Sequence, residues 1–357
     1  DSHNHRIQRF SDDRAFMSSW GSFASQDSGE APGGTFNEPW GIAVGSDGSV
    51  YVADTWNHRI QRFTADGKFI SMWGAPGLAE VPDQFWGPRG VAVDKNGLVY
   101  VTDTGNNRVV IFDAEGNYLT QFGKNGMAPG EFDEPVGIAV DANGLVYVAD
   151  TWNQRIQVFS PDENLEFQVQ RHWEVNAWFG QSINNKPFLA LDEDDNIYIT
   201  DPDAFRVLEF DKNGNYLRGW GEASSGIDGF SSPSGIGVGI DGRIWVSDSG
   251  NNFTIGFTLP ALPENGMSIT AEVPEGLVFD SENGQVVNSG GVVVYRLGAD
   301  GQEWVPVIPD GIAALLPPGT EPIRNVQQVW EIRSTEGELL FIWDTLRLAW
   351  FTDNALP

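Results

Sequence analysis

The chemistry this chain repeats most often is a carboxylate followed five residues later by a guanidinium. Asp1 and Arg6, Asp54 and Arg59, Asp103 and Arg108, Asp150 and Arg155, and Asp201 and Arg206 share that spacing, while Asp248 is followed by Phe253. Such a pair can serve as a ring of ligand-binding carboxylates, or it can cap a loop and pair with itself as scaffold. A feature copied into nearly every repeat is scaffold, because an asymmetric ligand needs a site that breaks the symmetry. These aspartates are therefore read as structural.

Other chemistry is sparse. The histidines are His3, His5, His58 and His172. Zinc needs three or four ligands converging at about 2 Å, and His5 and His58 hold equivalent places on the third strands of neighbouring units, away from the axis. No metal site and no cofactor are expected. The densest acidic run, Asp192-Glu193-Asp194-Asp195, is the alternative, as a calcium site. It falls where a sister unit carries the turn Asp141-Ala142-Asn143-Gly144, which favours a solvated hairpin. Without cysteine or a Gly-x-Ser-x-Gly elbow, nucleophilic catalysis has no support. Among 50 acidic residues, a carboxylate pair picked for glycosidase work carries no information.

The elements that position these residues follow from the period. The anchoring aspartates stand at 1, 54, 103, 150, 201 and 248, a spacing that means propeller blades or solenoid coils. Each full unit opens with a Gly-apolar-Ala-Val strand (41–44, 90–93, 137–140). A tight turn and Val-Tyr-Val (50–52, 99–101, 146–148) follow, then the Asp-x-x-Asn-x-Arg loop and a third strand. A second Gly turn leads to a fourth strand ending in Trp73-Gly74 or Phe122-Gly123. Short β-branched and aromatic runs broken by Asn-Gly and Asp-Gly turns are hairpins, and four strands per unit make an all-β propeller.

The motif resembles the NHL repeat family, best matched at Asn57-His58-Arg59-Ile60, over residues 1–258. The resemblance implies a six-bladed NHL-type β-propeller, with a five-bladed ring joining the first and sixth units as the alternative. Asp1 is already a loop aspartate, so the first blade is expected to lack its inner strands and the natural polypeptide to continue upstream. Leu259-Pro260-Ala261-Leu262-Pro263 reads as part of a Pro-rich linker, 259–265, and 266–357 as a small β-rich C-terminal domain with its own aromatics, Trp304, Trp330, Trp343 and Trp350. A single helical turn is expected over 310–316.

The formal charge of −29 repels phosphate backbones and anionic lipid heads, so no nucleic-acid partner and no direct membrane insertion are expected. The stretches around Trp152, Trp178-Phe179-Gly180 and Asp201-Pro202-Asp203 also resemble the C-terminal NHL region of bacterial membrane glycosyltransferase-like proteins of the dolichyl-phosphate-mannose mannosyltransferase type. That likeness implies catalytic residues upstream of residue 1 and an extracytoplasmic, secreted or cell-surface place for this segment.

What remains is a binding face. In a propeller the loops between second and third strands emerge beside the blade-to-blade connections. That face gathers Trp56, Trp152, Phe36, Trp40, Phe85, Trp86 and Phe132 with Glu38, Asp83, Glu131, Asp133 and Glu134. Aromatic platforms beside carboxylates suit sugar rings and cationic peptides. For Trp40 and Trp86 the competing reading is a wedge in the core between blades. Gly105 and Gly250 stand where other copies have Trp, the kind of variation an asymmetric site needs. The expected function is non-catalytic recognition of a glycan or protein partner. The alternative is a lactonase- or lyase-like propeller enzyme with a divalent metal in the axial channel.

Overall fold

The computed structural model describes residues 1–11, 13–175, 177–178, 186–226 and 229–259. Beyond them it describes 278–280, 285–287, 293–297, 304–308, 316, 322–324, 330–334, 339–344 and 349–352. The expected linker beyond Leu259 and the helical turn before Leu316 lie outside the described residues. The chain divides into two compact units, Asp1–Gly214 with Gly221–Leu259, and Asn215–Trp220 with Pro260–Pro357.

The first unit is a succession of antiparallel meanders, the blades of a β-propeller. The first has two strands, Ile7–Phe10 and Phe16–Trp20, which form a sheet of their own, separate from that of the sixth. The second blade comprises Pro39–Val44, Val50–Asp54, Arg59–Phe63 and Phe69–Trp73. The third comprises Pro88–Val93, Val99–Asp103, Arg108–Phe112 and Tyr118–Phe122, and the fourth Pro135–Val140, Val146–Asp150, Arg155–Pro161 and Phe167–Glu174. Leu189–Leu191, Ile197–Asp201 and Arg206–Phe210 belong to the fifth, and Pro233–Val238, Ile244–Asp248 and Phe253–Phe257 to the sixth. The second strands of the second to fifth blades are buried along their whole length, because blades stack on both of their faces.

The core lies between blades. Tyr51, Ala53 and Ile60 of the second pack with Val91, Val99, Val101, Val110 and Phe112 of the third. Inner strands approach backbone to backbone: a Cβ on Gly41 would stand 2.2 Å from the Arg89 carbonyl, and one on Gly90 2.1 Å from that of Val136. Contacts of under 3.0 Å are not tolerated, so glycine is what lets the inner strands converge on the axis. Trp40 stacks on Phe188 with centroids 6.4 Å apart, joining inner positions of the second and fifth blades.

The repeated Asp–Arg pairs are scaffold, as their copying predicts. In register, Asp54 faces Arg59, Asp103 faces Arg108 and Asp150 faces Arg155. Arg59 Nε donates to Asp54 Oδ2 at 2.8 Å, while Nη1 and Nη2 donate to the carbonyls of Ala31 and Thr35 in the preceding connection. The other Asp54 oxygen accepts the Asn37 N–H at 2.7 Å. Each buried pair thus ties a loop to its connection. Burial pushes the Asp54, Asp103 and Asp150 carboxyls up, against the backbone N–H and Arg bonds that pull them down.

The second unit contains two further four-stranded antiparallel sheets, Val278–Asp280 to Trp304–Pro306 and Ile323–Arg324 to Ala349–Thr352. They share one core in which Trp304, Trp330 and Trp343 are buried with Val286, Val294, Tyr295 and Ile332. Trp343 Nε1 donates to the Tyr295 hydroxyl at 2.8 Å. Among the described residues no helix is long and apolar enough to cross a membrane.

Candidate functional site: an indole-walled cleft in the propeller

The loops and connections do share one side. After Asp54, residues Thr55–Asn57 make one 3-10 turn that His58 closes at φ 51°. His58 is thus the left-handed residue before the third strand rather than part of it, and Asn107 takes the same place at φ 55°. The turn is then bonded to the connection: the Trp56 N–H to the Asn37 carbonyl at 3.1 Å, Gly105 to Trp86 at 2.9 Å, and Trp152 to Asp133 at 3.2 Å. Indole and carboxylate are brought together by these backbone bonds.

A cleft of about 200 Å³ opens here, walled by Trp56, Trp86 and Trp152 and reached by Arg89, Glu134 and Lys186, with Thr104, Gly87 and Gly105 completing it. Its origin is a subtraction. In the second blade Glu38 and Trp56 pair, the indole Nε1 donating to Glu38 Oε2 at 3.1 Å. In the fourth, Glu134 and Trp152 hold the same positions, and the indole N–H bonds to Glu134. In the third blade, between them, the matching residues are Gly87 and Gly105. Two side chains are missing from the middle blade, and the cleft is the space they leave. Trp86 lies against Gly105, where a Cβ would meet its Cδ1 at 2.2 Å.

Glu38 and Glu134 sit at φ 51° and 49°, a left-handed conformation that Gly87 adopts at 62°. That region disfavours non-glycine residues by about 1 kcal/mol, and such strain gathers at functional positions. Lys186, almost wholly buried, donates from Nζ to Glu134 Oε2 at 2.6 Å and lies 5.1 Å from the Trp152 ring. Burial opposes the Glu134 charge, but Lys186, Trp152 and Arg89 outweigh it and hold the carboxyl below its usual range. Burial pulls the Lys186 ammonium down, with Glu134 resisting.

Arg89 differs from every paired arginine. It is 4% exposed, its guanidinium carbon lies 4.2 Å from the Trp40 ring and 5.6 Å from Trp56, and Nη1 is buried with no hydrogen-bond partner. Burial brings its pKa down to about 10, so it stays charged at neutral pH.

The structure sorts the twelve expected residues. Trp56, Trp86, Trp152 and Glu134 line the cleft, and Glu38 adjoins it through Trp56. Trp86 is 52% exposed and stacked on His58, so it is no interblade wedge. Trp40 is half-buried on the inner strand, in contact with Arg89 of the third blade and Phe188 of the fifth. Phe36, Phe85 and Phe132 require correction. Each is wholly buried, against Phe63, Phe112 and Phe159, because the aromatic three residues before the inner-strand Pro points between blades. Asp83, Glu131 and Asp133 do not line the cleft either. Asp83 is exposed in the connection, Glu131 is bonded to Lys124 and to the Ala128 N–H, and Asp133 serves through its backbone.

Arg89 and Lys186 were missed, and a positional signal existed for both. Arg89 follows the strand-initial Pro, where other blades carry Trp40, Val136, Phe188 and Ser234. Lys186 precedes its Pro, where others carry Glu38, Gly87, Glu134 and Ser232. Among the described residues no three of His, Asp and Glu converge as a metal site. Asp192 Oδ1 instead accepts the N–H groups of Asp194 and Asn196, a hairpin turn.

No curated protein matches this chain. Solved structures that resemble it include a streptogramin B lyase, at 15% identity over 82% of this chain and 89% of that one, TM-score 0.44. A nidogen/laminin complex matches at 16% over 62% and 76%, TM-score 0.45. A protein of Bacteroides thetaiotaomicron of unknown function matches at 18% over 74% and 70%, TM-score 0.48. Likenesses at this level carry no inference about ligand or chemistry. Residues 36–63, 85–112 and 132–159 match the NHL repeat, so the three blades that shape the cleft are NHL repeats.

Proposed function

We propose that this propeller is a non-catalytic recognition module that binds a glycan at the cleft of Trp56, Trp86 and Trp152. The observation that carries the reading is three indoles around a single gap floored by Gly87 and Gly105. Pyranose rings offer C–H faces to indoles and hydroxyls to Glu134, Lys186 and Thr104. At about 200 Å³ the gap falls below the ~300–1,000 Å³ of drug-sized sites, which suits one ring. A cationic peptide, the rival ligand for indoles beside carboxylates, would meet Arg89 and Lys186.

A glycan-array screen of the whole chain, followed by calorimetry, tests this reading. The double variant Trp56→Ala, Trp152→Ala is expected to lose binding at least tenfold with an unchanged melting temperature. If no sugar on the array binds the wild type, the reading is wrong. It carries with it an extracytoplasmic placement, joined to a membrane glycosyltransferase-like protein. Immunoblotting of fractionated cells checks that placement, which a soluble cytosolic band near 39.1 kDa would contradict.

A further inference from the structure

Arg89 is the group in the cleft that the binding of a neutral sugar leaves unexplained. A guanidinium is expensive to bury, and where this fold buries one for its own purposes it surrounds it with acceptors. Arg59 and Arg108 each hold an aspartate and several backbone carbonyls. Arg89 is buried to the same degree, yet Nη1 has no partner. The two nearby carboxylates are occupied, Glu134 by Lys186 and Glu38 by the Trp56 N–H. Its near neighbours are indole faces, which stabilise a cation but accept no in-plane hydrogen bond. With the Trp40 and Trp56 rings beside the guanidinium, Nη1 is its unsatisfied part, and the terminal N–H groups of a guanidinium match a carboxylate.

Resting on the reading of the cleft as a sugar site, we propose that the sugar is acidic, a uronate-type residue whose carboxylate docks on Arg89 while its ring stacks against Trp56 and Trp152. The chain as a whole is strongly anionic, at −29, so long-range steering works against such a ligand. Attraction is therefore confined to the cleft, where the low-dielectric walls strengthen it. A neutral sugar leaves the guanidinium unmatched, and the site gains selectivity from that penalty.

The test is calorimetric titration of the full chain with gluco-, galacto- and mannuronate oligosaccharides, each paired with its uncharged methyl ester. The wild type is expected to prefer at least one acid over its ester by tenfold or more, with the preference shrinking as salt is added. Arg89→Gln and Arg89→Met should abolish the preference, so that acid and ester bind alike, and Arg89→Lys should keep part of it. Equal affinity for every acid and its ester overturns the carboxylate assignment while the sugar reading stands. Failure of both forms to bind overturns the two together. Thermal melting supplies an independent readout: Arg89→Met is expected to melt at or above the wild type. A drop of several degrees would show that the fold needs this arginine, and would overturn the assignment.

Discussion

The propeller buries arginine in two ways. Arg59, Arg108 and Arg155 lie between blades and their connections, each with an aspartate on Nε at 2.7–2.8 Å and backbone carbonyls on both terminal nitrogens. Arg89, in the cleft, has aromatic rings above it and a terminal nitrogen without a partner. The first arrangement is complete within the chain and recurs; the second is incomplete and occurs where the repeat pattern is broken. Burial by itself therefore says little about a charge. Whether its hydrogen-bonding capacity is met from inside separates scaffold from site.

That comparison can be broken from either side. The largest effect is expected from Asp103→Ala, which removes the acceptor of Arg108 Nε, Asn106 Nδ2 and the Trp86 N–H. It leaves a buried cation uncompensated and should cost about 3–5 kcal/mol in denaturant unfolding. A loss near zero would mean the pairs are not scaffold. Gly105→Trp restores the side chain of the neighbouring blades and drives into Trp86. It should destabilise by about 1–3 kcal/mol and close the cleft to ligand, as calorimetry would show. Arg89→Met runs the other way. Exchanging an incompletely bonded charge for an apolar chain of similar length should stabilise by about 1 kcal/mol or more, seen as a raised melting temperature.

Trp152→Ala is smaller still. The ring is 47% exposed, so stability should stay within about 0.5 kcal/mol while ligand affinity falls. The least effect is that of acid on the Lys186–Glu134 pair. The folded Glu134 pKa lies below its ordinary 4.5, so the folded state binds its proton more weakly than the unfolded chain does. Its contribution is fully present above about pH 4.5 and fades as pH falls through the folded value. Glu134→Gln should flatten that limb of the pH–stability profile slightly.

Much of this was legible in the sequence, for one reason: repetition. The blade period, the hairpin turns and the scaffold role of the Asp–Arg pairs all follow from comparing copies. The same comparison, applied consistently, places Phe36, Phe85 and Phe132 in the core. Each stands 18 residues before its blade's aspartate, as does the buried Phe230, and what four blades carry alike is packing. A connection that emerges beside the loops suggests a place on the face, whereas side-chain direction is set by position relative to the inner-strand Pro. Arg89 and Lys186 are hard to read for the opposite reason. Each is a single departure at an otherwise uncharged or acidic position, quiet in composition and conspicuous only in register. The cleft could not be read at all, since it consists of what Gly87 and Gly105 lack.

That absence has a consequence for how such a molecule changes over time. A repeat array usually gains a site by adding side chains, and each addition must fit a packed neighbourhood. Here the scaffold already supplies indole and carboxylate on either side, and deleting one Glu–Trp pair exposes them both. The address of the pocket is then two codons, and moving those codons to another blade would move the pocket around the ring while the frame stays as it is.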